Sequence, residues 1–202
     1  IISHDVDHLT ALEHIFKDSV LLKNILRQNL ELLVSSISLK EYFLRYKDLF
    51  QNKLQNISEL VDFDLKNKIP STFFFGMDNG LGLNYSLKEA TKWIKYVENK
   101  GFSTGVHGIN YKDYNLMLNE FKTFQSITSQ DKFGIRMHYL RHDQYTQEKL
   151  SKIGYAFDAT IIKKGSVYIK NGMPCFPLHI MDSYEIYKGD KFVNSTFDEI
   201  MK

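Results

Sequence analysis

At 202 residues the chain is long enough for one sizeable core and not for two. Its 26 Lys and Arg nearly balance 24 Asp and Glu, and no basic cluster stands out, which points away from a nucleic-acid surface. The single cysteine, Cys175, excludes an intramolecular disulfide and a multi-cysteine zinc site and is compatible with a cytoplasmic setting.

With 43% apolar and 25% charged residues, the composition is that of a soluble globular domain, and no stretch has the apolar length of a membrane span. We therefore expect one domain over residues 1–202. The chain opens on Ile1 inside an expected strand rather than on Met, which is consistent with a missing N-terminus.

The first element is Ile1-Ile2-Ser3-His4-Asp5-Val6-Asp7-His8. If Ile1 to Asp7 is a strand, its period of two places Asp5 and Asp7 on one face. Two adjacent carboxylates repel, so the pair is costly unless a cation or a donor lies between them. The pair reads either as a metal site or as an acidic turn after an edge strand.

From Leu9 to Ile37 apolar residues (Leu21, Leu22, Ile25, Leu26, Leu30, Leu33) recur at helical spacing, predicting a long helix or a broken pair. Ser38 with Glu41 is a capping box that opens a second helix, to about Gln55, and Asn56–Lys68 reads as a further short helix. Pro70 to Gly76 is the clearest strand, with Phe73–Phe75 as core. Met77–Leu83 is a Gly/Asn loop, and a helix capped by Ser86 ends at Gly101.

Further strands are expected at Phe102–His107, Phe133–Leu140 and Tyr155–Thr160, with helices at Tyr114–Ser129 and Gln147–Ile153 between them. Short strands at 167–169, 175–180 and 184–187 and a helix from Ser195 complete the pattern. Alternating strands and helices predict an α/β fold with a parallel sheet, and Thr10–Lys68 (the 10–68 segment) is a helical insertion after strand 1. In such folds the chemistry gathers where strands end. The ends here carry Asp5 and Asp7, then His107, then Arg136 and His138 on one strand face, and later Asp158 and His179.

The order of these pieces resembles the NodB-homology polysaccharide deacetylases, carbohydrate esterase family 4. Ser3-His4-Asp5-Val6-Asp7 resembles the first motif of that family, Ser71-Thr72-Phe73-Phe74 its Thr-Phe-Phe strand, and Gly105-Val106-His107-Gly108 its histidine motif. Arg136-Met137-His138-Tyr139 stands where the arginine of the third motif belongs, and Gly154–Thr160 resembles the stretch that often follows. The resemblance runs from Ile1 to about Thr160. The Asp-Val-Asp start and His138-Tyr139-Leu140-Arg141 resemble a branch found with bacterial surface-polysaccharide genes.

The resemblance implies a distorted (β/α)7-type barrel and hydrolysis of a carbon–nitrogen amide bond, most plausibly the N-acetyl group of an amino sugar. It makes Asp5 the general base, Asp7 and His107 ligands of a divalent metal (zinc first, cobalt or nickel as alternatives), Arg136 the group that orients the base, and His179 the candidate proton donor. It also implies a carbohydrate substrate. The family's second-motif histidine falls on Tyr111, a poor ligand with an unperturbed pKa of about 10. His138 is the natural replacement, although a buried histidine bonded to a backbone carbonyl is an equal reading. Two rivals stand beside this one: hydrolysis of a small cyclic amide or ureide, and a metal-free carbohydrate-binding relative.

Overall fold

The computed structural model describes residues 2–14, 20–51 and 54–181. Four strands, β1 (Ile2–Val6), β2 (Ser71–Phe75), β3 (Ser103–Gly108) and β4 (Ile135–Met137), pair in that order, all parallel. Parallel neighbours need crossovers, and helices supply them. The first crossover contains α1 (Val20–Leu33), α2 (Leu39–Phe50) and α3 (Ile57–Asn67); α4 (Leu87–Asn99) and α5 (Tyr114–Gln125) make the next two. After β4 come α6 (Thr146–Ile153) and an antiparallel hairpin, β5 (Tyr168–Lys170) with β6 (Met173–Cys175).

The sheet is the parallel one that the alternating pattern predicts, and it curls into a half-barrel, consistent with the distorted barrel that the resemblance implies. Residues 156–159 carry the curl onward through hydrogen bonds with Phe133 and β4 (Ile135 N–H to Phe157 O, 3.0 Å; Ala159 N–H to Ile135 O, 2.8 Å) and then with residues 174–176. The strand expected at Tyr155–Thr160 is reduced to bridges at Asp158, because this segment makes only a few ladder bonds on each side. The elements expected at 184–187 and from Ser195 lie outside the described residues.

Sheet and helices meet through period. Phe73 and Phe75 pack with Ala90, Ile94 and Val97 of α4 and Met117 and Phe124 of α5 in one buried cluster. Full burial of one such side chain stabilises by roughly 1.5–3 kcal/mol. The helix starts follow the predicted caps: Ser38 Oγ accepts from Glu41 N–H at 3.1 Å, and Ser86 Oγ from Glu89 N–H at 3.3 Å.

The apolar stripe of the first crossover departs from expectation. Leu22, Leu26, Leu30 and Leu33 are exposed, as are Phe43 and Phe50 of α2. The helices meet instead through a polar seam, in which Asn29 bonds Tyr42 and Tyr46 and Arg45 pairs with Glu31 at 2.6 Å. Among the described residues nothing covers the leucine stripe.

Phe74 takes the opposite parity to its neighbours and points into the curl, where its ring lies 6.4 Å from that of Phe157. Two glycines make this possible. A Cβ on Gly105 would stand 2.8 Å from both Gly134 O and a Phe74 ring carbon, and one on Gly134 would stand 2.3 Å from the Phe157 ring. We predict that Gly105→Ala lowers stability by about 1–3 kcal/mol through overpacking, read as a fall in the denaturant midpoint. An unchanged midpoint would show that the interior has slack.

Candidate metal centre

The parallel register decides what meets at the C-terminal edge. His107 on β3 is the partner of Arg136 on β4, and Asp5 on β1 is the partner of Phe74 on β2. Side chains of Ser3, Asp5, Phe74 and Arg136 therefore share the concave face. Arg136 spans it: Nη1 donates to Asp5 Oδ1 at 2.9 Å, Nη2 to Ser3 Oγ at 2.6 Å and Nε to Ala159 O at 3.1 Å, with the guanidinium 4.8 Å from the Phe74 ring centre. His4, one residue out of phase, turns away and meets buried Asp64 at 2.9 Å.

Past the strand ends, Asp7, His107 and His138 converge. Asp7 Oδ1 lies 3.2 Å from His107 Nε2 and 3.3 Å from His138 Nδ1, and the two ring nitrogens are 3.0 Å apart. Each ring's other nitrogen faces a carbonyl, His107 Nδ1 at Arg136 O (3.1 Å) and His138 Nε2 at Leu81 O (3.1 Å). A carbonyl only accepts, so those nitrogens carry the protons. In the neutral rings, then, His107 Nε2 and His138 Nδ1 aim lone pairs at each other and at a carboxylate oxygen. Asp7 Oδ1 is buried and has no well-aligned donor.

Three acceptors so arranged require a positive centre among them. Both histidines also show the carbonyl support typical of metal-ligating imidazoles. The donor set of one carboxylate and two imidazoles fits a divalent transition metal. Asp7, His107 and His138 would hold it, and they are the only group of this kind among the described residues.

The electrostatics agree. Burial pushes the Asp7 carboxyl upward, but the closeness of His107 and His138 outweighs it and holds the group well below the usual carboxylate range. Burial depresses His107, but Asp5 and then Asp7 reverse that, so its pKa is raised. A ring on Tyr85 anchors the rim, its hydroxyl donating to Val6 O at 2.8 Å and accepting from Gly76 N–H.

His138 joins the cluster from the position directly after β4. β4 stops at Met137 instead of running to Leu140, because Tyr139 and Leu140 both take left-handed backbone conformations (φ +56° and +52°). The turn drops His138 under Leu81 O, which also accepts from Tyr139 Oη at 3.2 Å. Tyr111 stays out of the cluster and packs beside Arg141, 5.2 Å from guanidinium to ring. His179 is not brought to the cluster. Its expected strand is reduced to a bridge at Leu178, and its exposed ring turns to Gly165 O at 2.7 Å. Asp158 braces a turn, accepting from Thr160 N–H and Gln147 Nε2–H.

With this geometry in hand, a likeness among solved structures can be placed. The chain superposes on a Mycobacterium smegmatis protein reported as a putative polysaccharide deacetylase, with a TM-score of 0.54 and 15% identity over 88% of this chain and 57% of that one. The fold is the NodB-like deacetylase fold. The chain spans little more than half the length of that protein. No family model matches the sequence, and no curated protein matches it.

One buried group escapes sequence reasoning. Glu120 of α5 accepts from the backbone N–H groups of Ile109 and Asn110 and from the Asn110 amide, fixing the loop that follows His107. Its signal in the sequence is a charge at a core position of the Met117, Phe124 spacing. Burial, only partly offset by those donors, pushes its pKa from 4.5 to about 7. The folded state therefore holds the proton more tightly than the unfolded chain. The contribution of Glu120 to stability is full below pH 4.5 and is lost as pH rises through about 7, in total on the order of 3 kcal/mol. We predict that Glu120→Gln removes this part of the pH dependence, measured by denaturant unfolding between pH 4.5 and 8. An identical slope in the variant would assign it to other groups.

Proposed function

We propose that the protein is a metal-dependent N-deacetylase acting on an amino sugar of a surface polysaccharide or its precursor. The observation that carries this reading is the convergence of Asp7, His107 and His138 on an unsatisfied carboxylate oxygen, beside an aspartate held by Arg136. A divalent ion bound there, zinc before cobalt or nickel, would polarise an amide carbonyl and lower the pKa of water.

The chain's own groups supply the proton traffic. Arg136 fixes Asp5 through Oδ1 and leaves Oδ2 to accept a proton from the attacking water. The leaving amine also needs a proton. His179 lies on Gly165 O, so we assign the return of that proton to Asp5 itself, acting first as base and then as acid. Arg136 is a positioning residue. The half-exposed Asp7 side chain marks where the centre opens to solvent, and a substrate amide would approach from that side. The buried, doubly supported imidazoles argue for a metal-binding protein over a metal-free binding relative, because unpaired buried acceptors are costly to keep without a cation.

Elemental analysis should find about one divalent metal per chain, lost in Asp7→Ala and in His138→Ala and retained in Tyr111→Phe. Loading should weaken as pH falls, since protons compete with the cation for the imidazoles, and the neighbouring carboxylates raise the pKa of His107. A wild-type protein that takes up no metal at micromolar supply would end this reading. In the loaded protein, Asp5→Asn should keep the metal and lower acetate release from N-acetylated sugars by at least about a hundredfold. Retention of full turnover would remove Asp5 as the base.

A further inference from the structure

The α1–α2 hairpin carries an apolar face that the fold does not use. Leu22, Leu26, Leu30 and Leu33 of α1 and Phe43 and Phe50 of α2 are between 56% and 88% exposed. At about 100° per residue, the four leucines fall within about 80° of one another and the two phenylalanines within about 20°. The two stripes also look the same way. Asn29 and Tyr46, bonded across the seam at 3.0 Å, stand within about 40° of a stripe residue on their own helices. Glu31 and Arg45, paired at 2.6 Å, close the seam on the opposite side. Large apolar side chains gathered on one exposed plane mark an interaction surface.

The charge around this plane selects the partner. Lys23, Lys40 and Lys47 are exposed and lie about 20–60° beyond the edges of the stripes. The acids that could offset them are engaged elsewhere: Glu31 and Glu41 both pair with Arg45, at 2.6 and 2.5 Å, on the side away from the stripes. Among the described side chains of the hairpin these are the only acids. An apolar plane bordered by lysines is the pattern of a helix that lies in a membrane interface, its apolar side chains at the acyl boundary and its cations at the phosphates. Other occupants fit less well. A two-fold contact with a second copy would bring like charges together at its rim. A helix-binding groove on another protein takes one stripe, not two side by side.

The hairpin is rooted beside the metal centre. Leu54 N–H donates to Leu9 O at 3.3 Å, closing the base of the segment, and Leu54 and Gln55 share a cavity of about 170 Å³ with Asp5 and Asp7. Docking through the hairpin therefore tethers the centre to the docked surface.

We propose that the hairpin docks the protein on an anionic membrane surface, with the leucine and phenylalanine stripes entering the headgroup boundary and Lys23, Lys40 and Lys47 meeting lipid phosphates. The proposal does not rest on the deacetylase reading, and vesicle binding needs no turnover.

Co-sedimentation of the full chain with lipid vesicles tests this. Wild type should pellet with phosphatidylcholine vesicles that contain about one third phosphatidylglycerol, pellet far less with phosphatidylcholine alone, and be released by about 1 M salt. Lys23→Glu combined with Lys47→Glu should lower the partition coefficient at least about twentyfold. Leu26→Gln combined with Phe43→Gln should abolish pelleting. All four positions are exposed, and an unchanged denaturant midpoint checks that each variant folds. A wild type that ignores anionic vesicles, or variants that partition as wild type does, would overturn the proposal. Sedimentation equilibrium supplies one more way to lose it: a wild-type dimer that Leu26→Gln with Phe43→Gln splits, with no vesicle binding, would assign the plane to a second copy.

Discussion

A single guanidinium ties the first strand of the sheet to the last. Arg136 leaves β4, crosses the concave face over the Phe74 ring, and ends on Asp5 and Ser3 of β1. Backbone pairing alone joins each strand only to its neighbour, so this side chain is what relates β1 to β4 directly. Both members of the pair are largely buried, and removal of one partner from a buried pair costs about 3–5 kcal/mol, because the other charge is left uncompensated. A hydrophobic pair of the same volume could close the curl as well or better. The ion pair is therefore better understood as placing Asp5 than as stabilising the fold. The carbonyl of the same residue accepts from His107, so one position fixes Asp5 through its side chain and His107 through its backbone.

The centre is a problem in acceptor geometry. Parallel register brings β1 and β3 to the same edge but leaves β2 between them, and β2 ends in Phe75 and Gly76, which offer no ligand. The third donor has to come from beyond β3. A loop histidine four residues after His107 would be one source; here that place is Tyr111. His138, directly after β4, stands there instead, and two successive left-handed residues, neither of them glycine, follow it. L-residues reach that region at a cost of roughly 1–2 kcal/mol each. Leu81, which receives His138 and Tyr139, is left-handed too, at φ +56°. Local strain on both sides of one hydrogen bond is the signature of a side chain held for a purpose outside the fold.

Much of the scaffold was legible because it depends on short-range rules. The Ser38 and Ser86 caps, the aromatic strand at 71–75 and the period-two placement of Asp5 each follow from a few neighbouring residues. What escaped depends on distant ones. Parity put His138 on the Arg136 face, beside His107, but not its contact with Leu81 O, 57 residues earlier. The leucines of the first crossover have perfect helical spacing, yet spacing says only that they share a face, not that anything covers it. Residues 155–160 read as a strand by composition, but a strand's length is set by its partners, and β4 is short. Glu120 was visible as a charge on an apolar helix face and went unread, because its function appears only with the loop it holds.

That glutamate and the left-handed leucine join the two halves of the site. Glu120 sets the loop after His107, and Leu81, whose carbonyl faces His138 Nε2, belongs to the loop after β2. His138 is thus supported by that loop rather than by the sheet beneath it. Movement of the 77–83 loop would shift Leu81 O and loosen His138 together. A third donor taken from the loop four residues after His107 would lack this link to the 77–83 loop.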